Sequence, residues 1–420
     1  MALSSLPTEL IENIAEHLDV QSIRSFRLTS SALSRQSLHV YTHFLRKRTL
    51  KWDIESLWQL EWMTSHPRFA GLLEDLVVDA TPRFAIRLWE LEKGIVDATA
   101  QQDFERRVEL QSYYLKIEEE SETATRYWNE TRQDQMILTS VFKRLQRLSS
   151  IIFAYDGMDK NHLLFGRRYC ENSQNEMSRP FVSTMAALAT SRCDVLFIGV
   201  DPERNCGAIS IGRLESISPV LTKFDHAFPG LSHLQLSLRD WRYPDEGFAM
   251  PVDKAPFIVR FLSRFQNIQT LELSCFSSLE EDILRDLAKH CKFPRMETCK
   301  LDLFRIRMVD NLFDFLDPCK DTLRSLSLSH TVLKDAAIEW DQVLRRIAST
   351  YALERAEFKS LFMRAGARVG FSGSMRGEVI LGGDGLKGQL EQQAGNLVAG
   401  NWGPAWHLAA VAYPFIGLRT

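Results

Sequence analysis

Long apolar runs are missing from this sequence. The longest near-apolar stretch, Leu408 to Leu418, is about half a membrane span and contains Pro414. Met1 to Leu10 carry neither a basic segment nor a long apolar core, so no signal peptide is read. An excess of one charge is missing too: 51 basic and 54 acidic side chains leave a net charge of −3, which excludes a general electrostatic footprint for nucleic acid. The seven cysteines are odd in number, lie between Cys170 and Cys319, and contain no C-x-x-C. That excludes a disulfide framework and a zinc ribbon, and reads as the reduced usage of the cytoplasm or nucleus. Glycine is sparse until late in the chain. Twelve of the 21 glycines fall in residues 365–420, where regular elements are therefore disfavoured.

What is present is an ordinary globular mix, 45% hydrophobic and 25% charged over 420 residues, enough for two or three domains. Pro7-Thr8-Glu9 is a helix-start signal. Beyond it Leu10, Ile11, Ile14, Ala15 and Leu18 gather on one side over an arc of about 140°, wider than a minimal apolar stripe. Asp19 offers a cap for a second helix with Ile23 and Phe26 inward. Thr29-Ser30-Ser31 breaks that helix and caps a third, carrying Leu33, Leu38 and Tyr41. Three short helices have little core of their own, so such a unit leans on something else: the rest of the chain, or a partner.

The ordered run Leu6-Pro7-Thr8-Glu9-Leu10, Ile14, Leu18-Asp19, then Ile23, Phe26-Arg27-Leu28-Thr29 and Leu33, resembles an F-box. Leu28 and Leu33 stand where many members have valine and tryptophan, and both stay apolar. The following stretch, Trp52-Asp53-Ile54-Glu55 to His66-Pro67-Arg68-Phe69 and Leu73 to Val78, is similar to fungal F-box proteins, in which a short helix, a turn and the first strand of an irregular repeat domain follow. The resemblance implies a substrate-recognition subunit of an SCF-type ubiquitin ligase. Its partners would be a Skp-type adaptor, a cullin reached through it, and a protein substrate, with no cofactor and no catalysis of its own. The positions that match the family's apolar anchors are Leu6, Pro7, Leu10, Ile14, Leu18, Ile23, Phe26 and Leu28, some packing the F-box and some facing the adaptor.

Further along, an apolar-x-x-apolar-x-apolar frame recurs: Leu73, Leu76, Val78; Leu148, Ile151, Phe153; Leu231, Leu234, Leu236; Ile268, Leu271, Leu273; Met296, Cys299, Leu301; Leu323, Leu326, Leu328; and a worn Leu353, Ala356, Phe358. The last frames start 28, 27 and 30 residues apart, close to the leucine-rich-repeat period. Helix candidates lie between them at Phe257–Phe265, Glu280–Lys289, Val309–Leu316 and Ala336–Ile347. The Asn or Cys expected three places past each frame is replaced by Arg239, Phe276, Phe304 and Thr331, so the bends must close by other means; a generic α/β domain with similar strands is the alternative.

The expectation is an α/β chain: a three-helix F-box at 1–48, then an irregular leucine-rich-repeat-like solenoid at 49–364. A helical insertion occupies 84–148, an exposed loop 155–180, and a flexible Gly-rich tail of little consequence for stability 365–420. Strand alternation turns His233, Gln235 and Ser237, then Thr270, Glu272 and Ser274, then Thr298, Lys300 and Asp302, then Ser325, Ser327 and Ser329 outward. Gln235, Glu272, Lys300, Asp302 and Ser327 are the candidate substrate contacts, a polar surface suited to a protein ligand.

Other motifs have blander readings. Gly383-Asp384-Gly385-Leu386-Lys387-Gly388 spells G-x-G-x-x-G, but no acidic residue follows Glu391 to take a ribose, which disfavours a nucleotide-dependent oxidoreductase. His39 and His43 have metal-ligand spacing without a completing Cys, Asp or Glu. His290-Cys291 with Cys299 reads as a helix end and a core position rather than a nucleophile pair. A repeat scaffold that does not assemble a ligase is the remaining alternative.

Overall fold

A computed structural model describes residues 3, 6–145, 147–155, 171–200, 209–210, 214–239, 257–275, 283–335, 337–363, 367–371 and 377–400. The chain begins with four short helices: α1 (Thr8–Glu16), α2 (Val20–Leu28), α3 (Ser31–Gln36) and α4 (Leu38–Arg46). The expected third helix is two. The Ser37 hydroxyl donates to the Leu33 carbonyl, competing with the helical ladder where α3 ends, and α4 restarts at an angle. The caps are where the sequence places them: Asp19 accepts from the Ser22 amide at 2.7 Å and Ser30 from Ala32 at 3.2 Å. The side chain of Arg27 ties the helices together, donating to the Ser34 carbonyl at 2.7 Å and lying over the Tyr41 ring.

Helix α4 runs straight into β1 (Lys47–Lys51), so the first strand starts inside the expected 1–48 unit. From β1 onward one sheet organises the chain. Its strands follow in chain order: β1, β2 (Asp75–Asp79), β3 (Arg147–Ala154), β4 (Asp194–Val200), β6 (His233–Arg239), β7 (Thr270–Cys275), β8 (Thr298–Asp302), β10 (Ser325–Ser329) and β12 (Arg355–Lys359), with β5 (Ile209–Ser210) pairing beside β6. Every pair as far as β12 is parallel. Parallel neighbours need a crossover, and helices or longer connections supply it on one face. The apolar frames stack in register: Leu76, Ile151, Ile198, Leu234, Leu271, Cys299, Leu326 and Ala356 form one continuous buried row. Strands β1 and β4 are among those in this sheet with no counterpart in the frames read from sequence. Strand β1 has one buried residue, Leu50, among basic neighbours; β4 hides its frame of Val195, Ile198 and Val200 in an unbroken apolar run.

The bends close through the backbone. Leu303, His330 and Ser360 each sit two residues past the last frame residue of β8, β10 and β12, and all three have positive φ, at 64°, 46° and 50°. The left-handed region reverses the chain without a side-chain ladder, at roughly 1–2 kcal/mol per non-glycine residue. Backbone bonds between bends offset this: Leu303 N–H donates to the Ser329 carbonyl and His330 N–H to Lys359. A second short parallel ladder follows, β9 (Arg305–Ile306) with β11 (Val332–Leu333). Phe304 and Thr331, at the positions where Asn or Cys was expected, are buried inside these bends; Phe276 lies outside the described residues.

Helices α5 (Ile54–Ser65) and α6 (Pro67–Ala70) connect β1 to β2, and between β2 and β3 run α7 (Arg83–Ala100), α8 (Phe104–Thr131) and α9 (Gln133–Arg144). Two expectations fail. Residues 171–180 are not loop but the first half of α10 (Glu171–Ser191), which buries Met177, Phe181, Met185 and Leu188 despite Pro180 in its interior. Residues 156–170 lie outside the described residues. The Gly-rich segment is also not a free tail in the described 367–371 and 377–400. After β13 (Arg368–Gly370), strand β14 (Glu378–Gly382) adds antiparallel to β12, and a helix at Leu386–Gly395 follows it. Val369, Phe371, Leu381, Leu386, Leu390 and Ala394 all join the main core. Two of the glycines make the connecting turn: Gly383 and Gly385 have φ of 79° and 86°. Trp402, Trp406 and Phe415 lie outside the described residues. Among the described residues no helix is long and apolar enough to cross a membrane.

Ending the chain at residue 364 is therefore expected to lower the melting temperature substantially. Leu390→Ala, at a fully buried position, should cost about 2–5 kcal/mol. Thermal unfolding of both variants checks this, and an unchanged transition would contradict the packing.

Candidate functional site

The N-terminal unit has two apolar faces. Ala15, Ile23 and Val40 form a small core of their own, separate from the main one, with Leu18, Tyr41 and Phe44 packed on it. Ile11, one residue from Leu10, is fully buried, whereas Leu10 and Ile14, on one flank of the same apolar arc of α1, are 51% and 38% exposed. Leu28, at the end of α2, is 87% exposed, and Leu3, Val20 and Leu38 also stand in solvent. Of the eight anchors picked from sequence, Pro7, Leu10, Ile14 and Leu28 face outward. Leu6, Leu18 and Phe26 are half-buried. Ile23 is fully enclosed and belongs to the unit's own core, not to a contact face. Leu6 is fixed by its carbonyl, which accepts from the Gln36 amide at 3.2 Å. Leu3, Val20 and Leu38 were not picked from sequence; only their exposure in the folded unit marks them.

The face of the sheet turned away from the buried row is the second surface. Gln235, Glu272, Lys300 and Ser327 lie on adjacent strands, with Glu272 opposite Lys300 in register and Lys300 opposite Ser327. Lys300 Nζ is 2.7 Å from Glu272 Oε1, and His233 Nε2 is 3.6 Å from the same oxygen. Burial pushes the Glu272 carboxyl up, but the hydrogen bonds and charges of His233 and Lys300 outweigh it and hold the group below its ordinary value. Asp302 pairs with His330 Nδ1 at 2.8 Å, and Ser274 reaches its other oxygen at 3.5 Å. The chosen charges are thus largely satisfied by one another, and Ser327 is only 7% exposed. The earlier half of this face mixes polar and apolar side chains. Ser150 donates to Asp75 at 2.6 Å, Val77 and Ile152 pair side by side with Gly199, and the Phe197 ring meets that of His233 at a tilt with centroids 4.4 Å apart. A Cβ at position 199 would sit 2.6 Å from the Phe197 ring, so glycine lets that ring lie down beside the row.

The helices between β2 and β3 are pinned at their base by α10. Arg179 forks onto Asp134, at 2.6 and 3.2 Å, and donates to Asn129 and to the Trp128 carbonyl. Asp134 is fully buried and also accepts from Ser183. Glu176 accepts from the amides of Phe84 and Ala85 at 2.9 and 3.1 Å, serving as an N-terminal acceptor for α7 from another helix.

His39 and His43 meet edge-on at 5.0 Å, and among the described residues no group of three or more His, Cys, Asp or Glu is placed to hold a metal. Cys291 and Cys299 are buried, and burial pushes the Cys291 thiol up to about 12, the reverse of an activated nucleophile. Gly383–Gly388 does join a strand to a helix, but that strand is antiparallel to its neighbour, so the loop is not inside the βαβ unit a dinucleotide site needs.

Comparison with known families finds that residues 3–44 match the model of the F-box domain. This supports an F-box protein, and F-box domains typically bind Skp-type adaptors of SCF-type ligases. No curated protein matches the chain.

Burial pushes the Glu176 carboxyl up to about 7, against the lowering effect of the α7 amides and Arg83. The folded chain therefore binds this proton more tightly than the unfolded chain. The group's contribution to stability is full below about pH 4.5 and is lost as pH rises toward 7. Glu176→Gln removes the titrating group and should flatten that slope, as read from urea midpoints across pH 5–8. Parallel pH profiles for the two proteins would contradict this.

Proposed function

We propose that this chain is the substrate-recognition subunit of an SCF-type ubiquitin ligase. It takes a Skp-type adaptor on the F-box, reaches a cullin through it, and holds a protein target on the domain that follows. The observation that carries this reading is the division of α1: Ile11 and Ala15 face inward while Leu10 and Ile14 stand in solvent, as Leu28 does at the end of α2. A unit with so small a core that leaves large apolar side chains outside is suited to burying them on another chain. The chain-ordered parallel strands, the steps of 28, 27 and 30 residues and the recurring left-handed bend residue support an irregular leucine-rich-repeat-like solenoid, as in the fungal F-box proteins the sequence resembles. We place the target across the strand face, on the apolar side chains of Val77, Ile152 and Phe197 and the polar ones of Gln235, Glu272, Lys300, Asp302 and Ser327. In this reading the chain is not itself an enzyme, ubiquitin transfer belongs to other subunits, and the complex works in the cytoplasm or nucleus, where free thiols such as Cys193 and Cys319 persist.

Leu10→Ala with Leu28→Ala is expected to reduce co-purification of a Skp-type adaptor by at least about tenfold, a loss of roughly 1.4 kcal/mol or more. Both side chains are exposed, so thermal unfolding of the chain should be unchanged. Equal adaptor recovery from variant and parent would leave a scaffold outside any ligase as the better reading. Lys300→Glu sets a second carboxylate beside Glu272 and is expected to weaken target capture while adaptor recovery stays the same, as measured by pull-down of both from one preparation.

A further inference from the structure

The helices between β2 and β3 carry a surface that neither the adaptor nor the strand face uses. Helix α8 packs through Leu110, Ile117 and Ser121, with the Leu110 side chain 3.1 Å from where a Cβ of Gly94 on α7 would stand. Its other side is open. Phe104, Val108 and Leu115 are 65%, 60% and 64% exposed, and at 100° per residue they fall within an arc of about 40°. Along the same line of α8 the apolar residues give way to carboxylates. Glu119 and Glu122 continue the stripe with Glu118 beside them, and none of the three forms an ion pair among the described residues.

We propose that this outward face of α8 docks an amphipathic helix of a partner protein, apolar at one end and rich in lysine or arginine at the other. The spacing of the apolar residues, four and then seven along a single helix, matches the repeat of a second helix laid against it better than an extended strand. The unneutralised carboxylates select the sign of the partner and disfavour an anionic lipid surface. They also disfavour a second copy. Parallel apposition would set Glu118, Glu119 and Glu122 against themselves, and antiparallel apposition that joins Val108 to Leu115 would bring Phe104 onto Glu119. The arm is held rigid at its base by the Arg179–Asp134 fork and the Glu176 carboxylate, so little order has to be gained on docking. This inference does not rest on the adaptor reading.

The test uses the full chain and two labelled helical peptides of about 21 residues. Both carry leucines matched to the stripe; one ends in a lysine-rich turn, the other has glutamate at those places. Fluorescence anisotropy is expected to show the lysine peptide binding at least about tenfold tighter. Val108→Ser with Leu115→Ser should lose that binding, and Glu119→Lys with Glu122→Lys should reverse the preference between peptides. The second variant alters only exposed charges, so it decides the matter even if the first is poorly folded. Equal affinity for both peptides, no binding of either, or full retention by the Val108/Leu115 variant overturns the proposal. So does sedimentation showing a dimer that the same variant abolishes, which would assign the face to a second copy.

Discussion

The row running from Leu76 through Ile151, Ile198, Leu234, Leu271, Cys299 and Leu326 to Ala356 is the constraint on which the rest depends. Each of these side chains is fully buried, and each lies opposite its neighbour in a parallel ladder. A slip of one residue in any strand would turn that strand's apolar set to the open face, so register is set by burial at every step. Once the row is fixed, the intervening residues have no choice but to line the other face. The polar surface of Gln235, Glu272 and Lys300 and the apolar patch of Val77, Ile152 and Phe197 both follow from it.

Both ends of the sheet needed separate solutions. At β12 the edge is covered by β14, which turns the Gly-rich segment into structure: a strand can be short and glycine-flanked when its partner edge is already rigid. At the other end β1 carries Lys47, Arg48 and Lys51, charges that discourage pairing with a further strand. The F-box joins the sheet here, with α4 leading directly into β1 and the Glu74 amide donating to the Arg46 carbonyl at 2.8 Å. This joint places an outward-facing apolar unit at one end of a long sheet.

The helical arm is attached in a different way, through buried polar contacts rather than apolar packing alone. Asp134 is shielded completely, so its charge is tolerable only because Arg179 and Ser183 satisfy it; removing one partner of such a pair typically costs about 3–5 kcal/mol. These contacts link residues some 45 positions apart in the chain, and they depend on α10 being a helix.

The sequence by itself determined what local periodicity and chemistry control. The caps at Asp19 and Ser30 and the apolar frames of the later strands are legible because each depends on residues within a few places of one another. So is the F-box, whose anchors lie at fixed spacing and whose family model matches residues 3–44. Tertiary structure decided the rest. Glu171 to Pro180 read as loop because polar residues and a proline dominate, and become helix because Met177 and Phe181 find the core while Glu176 and Arg179 find distant partners. The glycines after 365 read as freedom until an existing edge at β12 gives Leu381 somewhere to pack. Strand β4 was hidden because an unbroken apolar run has no alternation to show which side is buried. Which anchors of α1 turn inward was equally closed to periodicity: Leu10 and Ile11 are both apolar, and only the positions of α3 and α4 distinguish the side that packs from the side left for a partner.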